Sequence, residues 1–446
     1  MTRGSKANSS NWAGRWASSG NVRHETRHSS QVSWRSSFAD VGQYRRTRRQ
    51  SRLSGYEKRD MMKVAGLFAG IGGLEIGLAQ SGHQTVLLSE ILPGARAVLS
   101  ARLPGVDLQG DVCKISSLPA DVEIVAAGFP CQDLSQAGLA RGLDGDRSGL
   151  VGEVFRLAKD AAPRWIVLEN VPFMLQLRRG DAMRRIVDEL EALGYRWAWR
   201  VVDTFGFGLP QRRERVILVA SKTEDPANVL FADAAPLSRP ATAIGQIAHG
   251  FYWTEGRGGL GWAADAIPTL KNGSAVGIPS PPAILLPEGR IIKPDIRDAE
   301  RLQGFPSDWT VPAETVGRTS ARWGLIGSAV SVPVAKWLGS RLAQPGHHET
   351  ERDRSFAAQA RLPRAARFDG RDRHAVDIGP DPLGLRPPNL VDFLRHDGAL
   401  LSPRATAGFL GRTYVAKLRF APGFIDAVQA HLRFVEGIQI EEKRVA

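Results

Sequence analysis

Three short stretches carry side chains able to do covalent chemistry. The first is Gly128-Phe129-Pro130-Cys131-Gln132. It follows the apolar run Ile124 to Ala127, whose length and composition suit a buried parallel strand. Gly128 and Pro130 break that strand and leave a thiol at its carboxyl end, the edge of an open α/β sheet where catalytic groups gather. Cys131 is one of two cysteines in the chain and a candidate nucleophile; a small buried apolar side chain is the ordinary alternative for a free cysteine. The second stretch, Glu169-Asn170-Val171, ends the apolar run Trp165 to Leu168 and brings a carboxyl to a second strand end, where it can donate a proton. The third, Gly208 to Arg215, carries Arg213 and Arg215, whose planar donors suit a base carbonyl or a phosphate. A solvated charge run is the plain alternative there.

These groups need a scaffold, and the chain supplies its parts in order. Lys63 to Leu67 reads as a strand, followed by Phe68-Ala-Gly70-Ile-Gly72-Gly73 and a helix carrying Leu74, Leu78 and Ala79. Glycines at such a turn let backbone approach a ligand closely. Thr85 to Ser89 is a second strand ending in Glu90, where an acid can hold a ribose, and a third segment ends at Gly110-Asp111-Val112. Together these describe a Rossmann-like pocket for an adenosine-containing cofactor. Glu75 takes the place of a dinucleotide fingerprint's third glycine, which leans away from NAD. The Gly-rich stretch Asp133 to Gly149 has the length of a mobile cover, and a helix follows at Val151 to Lys159. Trp197 to Asp203 and Arg215 to Ala220 are further strands. Asp298 to Leu302 starts a helix ending at Gly304-Phe305-Pro306, and Gly327-Ser328-Ala329-Val330 is a turn able to line the cofactor pocket. Ser331 is placed to cap a last helix running to about Leu342, with Pro333 in its first turn.

At 446 residues and 43% hydrophobic content, the chain has room for two domains plus appendages. No apolar run has the length of a membrane span, and the start has no signal-peptide core. Two cysteines exclude a disulfide scaffold and fit a reducing compartment, and no Cys/His cluster has metal-ligand spacing. The formal charge of +13 points to a polyanion, but residues 1–60 hold 13 Lys/Arg against 4 Asp/Glu. Those residues read as a disordered basic leader, and Met61-Met62 directly before the first strand marks an alternative start. The divisions expected are a catalytic domain over 61–221, a small irregular lobe over 222–290, a return over 291–343, a linker over 344–388, and an accessory segment over 389–446 with a helical end. Phe424, Ile425, Val428, Leu432 and Val435 share one face of that helix; Arg404, Arg412, Lys417 and Arg419 precede it as a stripe able to meet phosphates.

Taken in order, the motifs resemble those of the DNA (cytosine-5)-methyltransferases of bacterial restriction-modification type. They are Phe68-x-Gly70-x-Gly72-Gly73, Glu90, Gly110-Asp111, Gly128-Phe-Pro-Cys131-Gln132, Glu169-Asn170-Val171, Gln211-x-Arg213-x-Arg215, Arg301-Leu-Gln-Gly304-Phe-Pro306 and Gly327-x-Ala-Val330, and they span about residues 62–342. The resemblance implies an α/β, Rossmann-like S-adenosylmethionine-dependent catalytic domain with a small target-recognition domain. It also implies S-adenosylmethionine as methyl donor and no metal. Phe68, Gly70, Gly72, Glu90, Ile91, Asp111, Val112, Pro130, Leu150, Ser328 and Ala329 would line the cofactor. Gln132, Ser135, Gln211, Trp253 and Arg257 would meet DNA. The family usually has Asn where this chain has Ser328, so an amide's paired donors are replaced by one hydroxyl.

The implied chemistry suits the residue types. Carbon 5 of cytosine is a poor nucleophile until a thiolate adds at carbon 6. Cys131 would supply the thiolate, Glu169 would serve ring nitrogen 3, and Arg215, with Arg213 behind it, would hold the carbonyl at carbon 2. The target base must leave the duplex to reach such a pocket. The resemblance implies double-stranded DNA as partner, a monomer, and a cytoplasmic, nucleoid-associated enzyme; it leaves open whether a cognate restriction endonuclease acts separately beside it. Methylation of tRNA is the alternative within the class, and the long insert over 222–290 argues for duplex DNA. An NAD-dependent oxidoreductase would leave the Cys131, Glu169 and Arg215 motifs unexplained, and a catalytically dead DNA-binding module would not need them.

Overall fold

A computed structural model describes residues 61–130, 149–236, 243–255, 259–273, 281–356 and 361–445. Cys131, Gln132, Ser135, Arg257, most of the expected covering loop and the basic leader lie outside the described residues.

The first part of the chain runs β1 (Lys63–Leu67), α1 (Gly73–Gln80), β2 (Gln84–Ser89), α2 (Pro93–Arg102), β3 (Asp107–Gln109), β4 (Val122–Gly128), α3 (Val151–Ala161), β5 (Trp165–Asn170), α4 (Asp181–Ala192), β6 (Arg196–Asp203), β7 (Gln211–Arg212), β8 (Glu214–Ser221) and α5 (Ala227–Leu230). Next come β9 (His249–Phe251), β10 (Ala263–Ala264), β11 (Ile267–Pro268), β12 (Ala283–Leu285), β13 (Ile291–Lys293), α6 (Ile296–Leu302), α7 (Ala321–Ser328) and α8 (Val332–Ala343). The end of the chain adds β14 (Asp353–Ser355), β15 (Ala365–Phe368), β16 (Arg373–Val376), α9 (Leu390–Phe393), β17 (Ala399–Leu400), α10 (Pro403–Tyr414) and α11 (Phe424–Val445).

The main sheet has the order β14-β16-β15-β6-β8-β5-β4-β1-β2-β3. Strands β1 to β5 are parallel, and β8 and β6 join antiparallel beside β5. Chain direction across the sheet reverses at β1, which lies between β2 and β4, so a crevice opens at the carboxyl ends of β1 and β4. The central strands are apolar throughout because both faces are covered. Val64, Ile124, Ala126, Trp165 and Val167 pack under α1 and α8, while Ala65, Leu67, Val125, Ala127 and Leu168 face α3 and α4. Helix α8 packs beside α1, over the face of β1. Its contact with α1 needs glycine: a Cβ on Gly77 would stand 2.4 Å from that of Ala335. Ser81 Oγ donates to Lys336 O at 2.7 Å, and His83 Nε2 lies 2.9 Å from Gly339 O.

Three expected divisions are corrected. Residues 344–388 are not a linker, because β14, β16 and β15 extend the main sheet beyond β6. Their Arg/Asp content forms pairs instead of a solvated run: Arg367 Nη2 meets Asp353 Oδ2 at 2.8 Å, and Arg373 Nε meets Glu191 Oε1 at 2.7 Å. Residues 389–446 are not a separate accessory segment. β17 completes a second sheet of order β10-β9-β12-β13-β17, and Leu401, Phe409, Phe424 and Val428 share one core with Phe251, Leu285 and Ile291. The apolar face expected on α11 is the face that closes this core. The small lobe also starts later than residue 222, since Ala227, Val229, Leu230 and Phe231 belong to the core beneath α8.

Candidate active site at the carboxyl edge of the sheet

Glu169 stands on the last turn of the pleat of β5. Its register partners are Gly128 on β4 and Ile217 on β8. Arg215 lies two residues before Ile217, so period-two alternation puts it on the same face, diagonal to Glu169. The two meet: Arg215 Nε donates to Glu169 Oε1 at 2.8 Å, with both side chains largely buried. A Cβ on Gly128 would stand 3.4 Å from Glu169 Oε2 and 3.8 Å from Val330 Cγ2, so the glycine leaves open the space beside the carboxylate. Asn170 points the other way. Its Nδ2 donates to Phe129 O at 3.0 Å and its Oδ1 accepts from Val171 N at 2.8 Å. Asn170 thereby ties the Phe129-Pro130 turn, directly before Cys131, to the strand that carries Glu169.

Gln211 and Arg213 are both buried beneath the segment around Leu270. Gln211 is fully buried: Nε2 donates to Leu302 O at 2.8 Å and Oε1 accepts from Leu270 N at 3.1 Å. Arg213 lies behind Arg215, with its side chain bonded to backbone. Its guanidinium donates to Leu270 O at 2.9 Å, Gly327 O at 3.1 Å and Ala329 O at 2.6 Å, and its backbone N donates to Asp203 Oδ1 at 2.9 Å. Burial pushes its pKa well below the usual arginine range, with Arg215 adding to the shift. Alternation along one strand predicts a common side but not that a segment near Leu270 covers two of the three residues. Trp253 is also a lobe residue more than a free reader. Its Nε1 donates to Pro281 O at 3.0 Å and its carbonyl accepts from Arg412 Nη2 at 2.7 Å, which commits Arg412 away from the expected phosphate stripe.

The cofactor motifs gather around the crevice. Phe68, Gly70 and Gly72 have φ values of 56°, 57° and 87°, a left-handed run after β1. No heavy atom lies within 4 Å of a Cβ built on Gly70, so the turn presents open space. Glu90 is buried at the tip of β2; Oε2 accepts from Gly70 N and Oε1 from Leu92 N, each at 2.8 Å. Burial raises its pKa. Each oxygen keeps acceptor capacity for a hydroxyl. Ile91 beside it is 66% exposed, an apolar surface suited to an adenine face. Asp111 accepts from Cys113 N at 3.0 Å, Val112 is buried in the core, and Leu150 packs against that core at the start of α3. Ser328 is exposed at the end of α7, while Ala329 is buried with its carbonyl held by Arg213. Ser331 starts α8 as expected, but its hydroxyl donates to Gln303 Oε1 at 2.7 Å instead of capping the helix. Gln303 and Asp203, both buried brackets here, carried no signal in the sequence beyond their position inside motifs.

An open glycine turn, a buried acid at the second strand tip and a Glu-Arg pair across β5 and β8 fit an S-adenosylmethionine-dependent methyltransferase of Rossmann-like fold. The family description "C-5 cytosine-specific DNA methylase" matches residues 62–251. The Type II methyltransferase M2.BsuMI of Bacillus subtilis is 46% identical over 381 residues, 82% of this chain and 97% of that protein. The Type II methyltransferase M.NlaX of Neisseria lactamica is 30% identical over 316 residues, 63% and 96% respectively. Among solved structures, the S. pombe Dnmt2 methyltransferase aligns with a TM-score of 0.44 at 16% identity, over 63% of this chain and 98% of that one. The chain belongs to the C-5 cytosine-specific DNA methylases: it is a DNA (cytosine-5)-methyltransferase.

Proposed function

We propose that this enzyme methylates carbon 5 of a cytosine extruded from a specific duplex DNA sequence, through a transient bond between Cys131 Sγ and carbon 6. The observation that carries the reading is the Glu169–Arg215 pair at 2.8 Å, one strand from the turn that leads into Cys131. A thiolate adding to carbon 6 pushes electrons onto the ring. Glu169 delivers a proton to ring nitrogen 3 and Arg215 donates a hydrogen bond to the carbonyl at carbon 2, so the charge that develops meets fixed donors. The Asn170 bond to Phe129 O steadies the peptide before the thiol. When bound, S-adenosylmethionine supplies an electrophilic methyl group. The residues present fit it: Glu90 offers spare acceptor sites for ribose hydroxyls, Ile91 an apolar wall, and the Phe68–Gly72 turn an open approach. After methyl transfer a water molecule takes the carbon 5 proton, ring nitrogen 3 returns its proton to Glu169, and the Sγ–carbon 6 bond breaks to release the thiolate and restore the aromatic ring. No metal takes part in this scheme.

The small lobe, completed by residues 399–445, is the target-recognition domain in this reading, and the protein works as a monomer on chromosomal DNA in the cytoplasm. A cognate endonuclease acting separately is consistent with the Type II names of its relatives. Incubation with S-adenosylmethionine and a duplex carrying 5-fluorocytosine, which has no carbon 5 proton to lose, tests the scheme. A denaturant-resistant conjugate that Cys131→Ser abolishes is expected; methylation by that variant, or methylation of tRNA but not duplex DNA, overturns it.

A further inference from the structure

The cofactor turn is held from below by a residue outside the motifs assigned to it. Ile71 lies between Gly70 and Gly72, and its carbonyl accepts from Trp309 Nε1 at 2.9 Å. The other side of the same peptide is pinned by Gly72 N donating to Ala69 O at 2.9 Å. Left-handed glycines stand on either side of Ile71 and restrain the turn little, so these two bonds fix the Ile71–Gly72 peptide.

The indole is itself held by two side chains, and its neighbour in the chain by two more. Phe305 stacks on it at 5.6 Å. Arg102 from α2 lies 5.4 Å from its ring centroid and donates through Nε to the Trp309 carbonyl at 3.0 Å. The next residue, Thr310, is pinned by Glu300 Oε1 at 2.8 Å from its backbone N, and Arg322 Nε donates to the Thr310 hydroxyl at 2.8 Å. A buried charged network thus fixes a single donor aimed at a single carbonyl of the glycine turn.

We propose that Trp309 is a positioning residue for the cofactor, its indole N–H preorganising the Gly70-Ile71-Gly72 turn for S-adenosylmethionine. This rests on the reading that the turn holds that cofactor. The test compares wild type with Trp309→Phe, which removes the N–H and keeps an aromatic ring beside Phe305. A second variant places 3-benzothienylalanine, an indole isostere without the N–H, at 309 in case phenylalanine opens a cavity. Titration calorimetry with S-adenosylmethionine and S-adenosylhomocysteine is expected to show about fivefold to tenfold weaker binding in either variant, the worth of one hydrogen bond. KM for S-adenosylmethionine should rise alike, with kcat at saturating cofactor and duplex affinity unchanged. Unchanged cofactor affinity in a folded variant overturns the proposal, and so does a parallel fall in kcat and duplex affinity, which marks a merely structural role. Wild type binding neither compound would overturn the cofactor reading along with it.

Discussion

Arg215 on β8 holds Glu169 on the antiparallel neighbour β5 through a Nε–Oε1 contact of 2.8 Å, side chain to side chain across one sheet face. The contact sets the direction of the carboxyl and keeps the guanidinium at the carboxyl end of β5. If the two act as a unit on the ring, their removal is not additive. Glu169→Gln and Arg215→Ala should each slow single-turnover methyl transfer by about a hundredfold or more, the scale of a lost transition-state donor. The double variant should be little slower than the worse single one. Rapid-quench measurement with cofactor binding followed in parallel checks this; full additivity would mean the residues act separately.

Arg213 should behave differently, although it stands two residues away. It serves three backbone carbonyls, those of Leu270, Gly327 and Ala329, and so joins the small lobe to the turn before α8. Arg213→Met leaves those buried carbonyls unpaired, at a cost of about 3 kcal/mol or more. A lower urea midpoint is expected; Arg215→Ala should lower it too, because it leaves the largely buried Glu169 carboxylate without its partner, so the two variants are told apart by single-turnover rate where both are folded. Lysine should not rescue Arg213, since one ammonium cannot replace a planar fork reaching three acceptors.

The contrast between these arginines shows what was legible in the sequence. Strand ends were, because Gly128 and Glu169 sit where an apolar run meets turn residues; β1 has its expected bounds, Lys63–Leu67. Covering was not. Nothing local reveals that Leu270 lies over Gln211 and Arg213, or that Trp253 is bonded from Arg412, more than a hundred residues later. The strands β14 to β16 were hidden for a related reason: their charges are neutralised by partners distant in sequence, such as Glu191 for Arg373. Long-range pairing converts a polar composition into a sheet edge.

The closing of the small lobe by α11 gives a prediction that separates the two halves of the protein. Phe424 is fully buried, with ring centroids 5.1 Å from Phe251 and 4.9 Å from Trp262. Phe424→Ala should cost about 3–5 kcal/mol of lobe packing. Duplex affinity, measured by filter binding, should fall at least tenfold. Binding of S-adenosylhomocysteine should persist, because the cofactor residues sit in the main sheet and share no core with α11.

Glu75 supplies a pH dependence. Its carboxyl lies over β1, where a Cβ on Gly66 would be 2.2 Å from Oε1, and neither oxygen has a hydrogen-bond partner in another residue. Burial pushes its pKa up from 4.5 to about 7, with backbone hydrogen bonding opposing and Glu90 adding to the rise. The folded state therefore keeps a proton that the unfolded chain releases above pH 4.5. With fewer protons on the unfolded state, stability falls as pH rises through that window, and the loss is complete above pH 7. At about 1.4 kcal/mol per pKa unit the loss is about 3 kcal/mol. Glu75→Gln keeps the shape and carries no charge, so urea titrations at pH 5 and pH 8 should show the variant gaining about 2–3 kcal/mol on wild type at the higher pH. Equal pH slopes for the two proteins would mean that the carboxyl is ionised in the fold, held by a partner that its buried place beneath the cofactor turn does not supply.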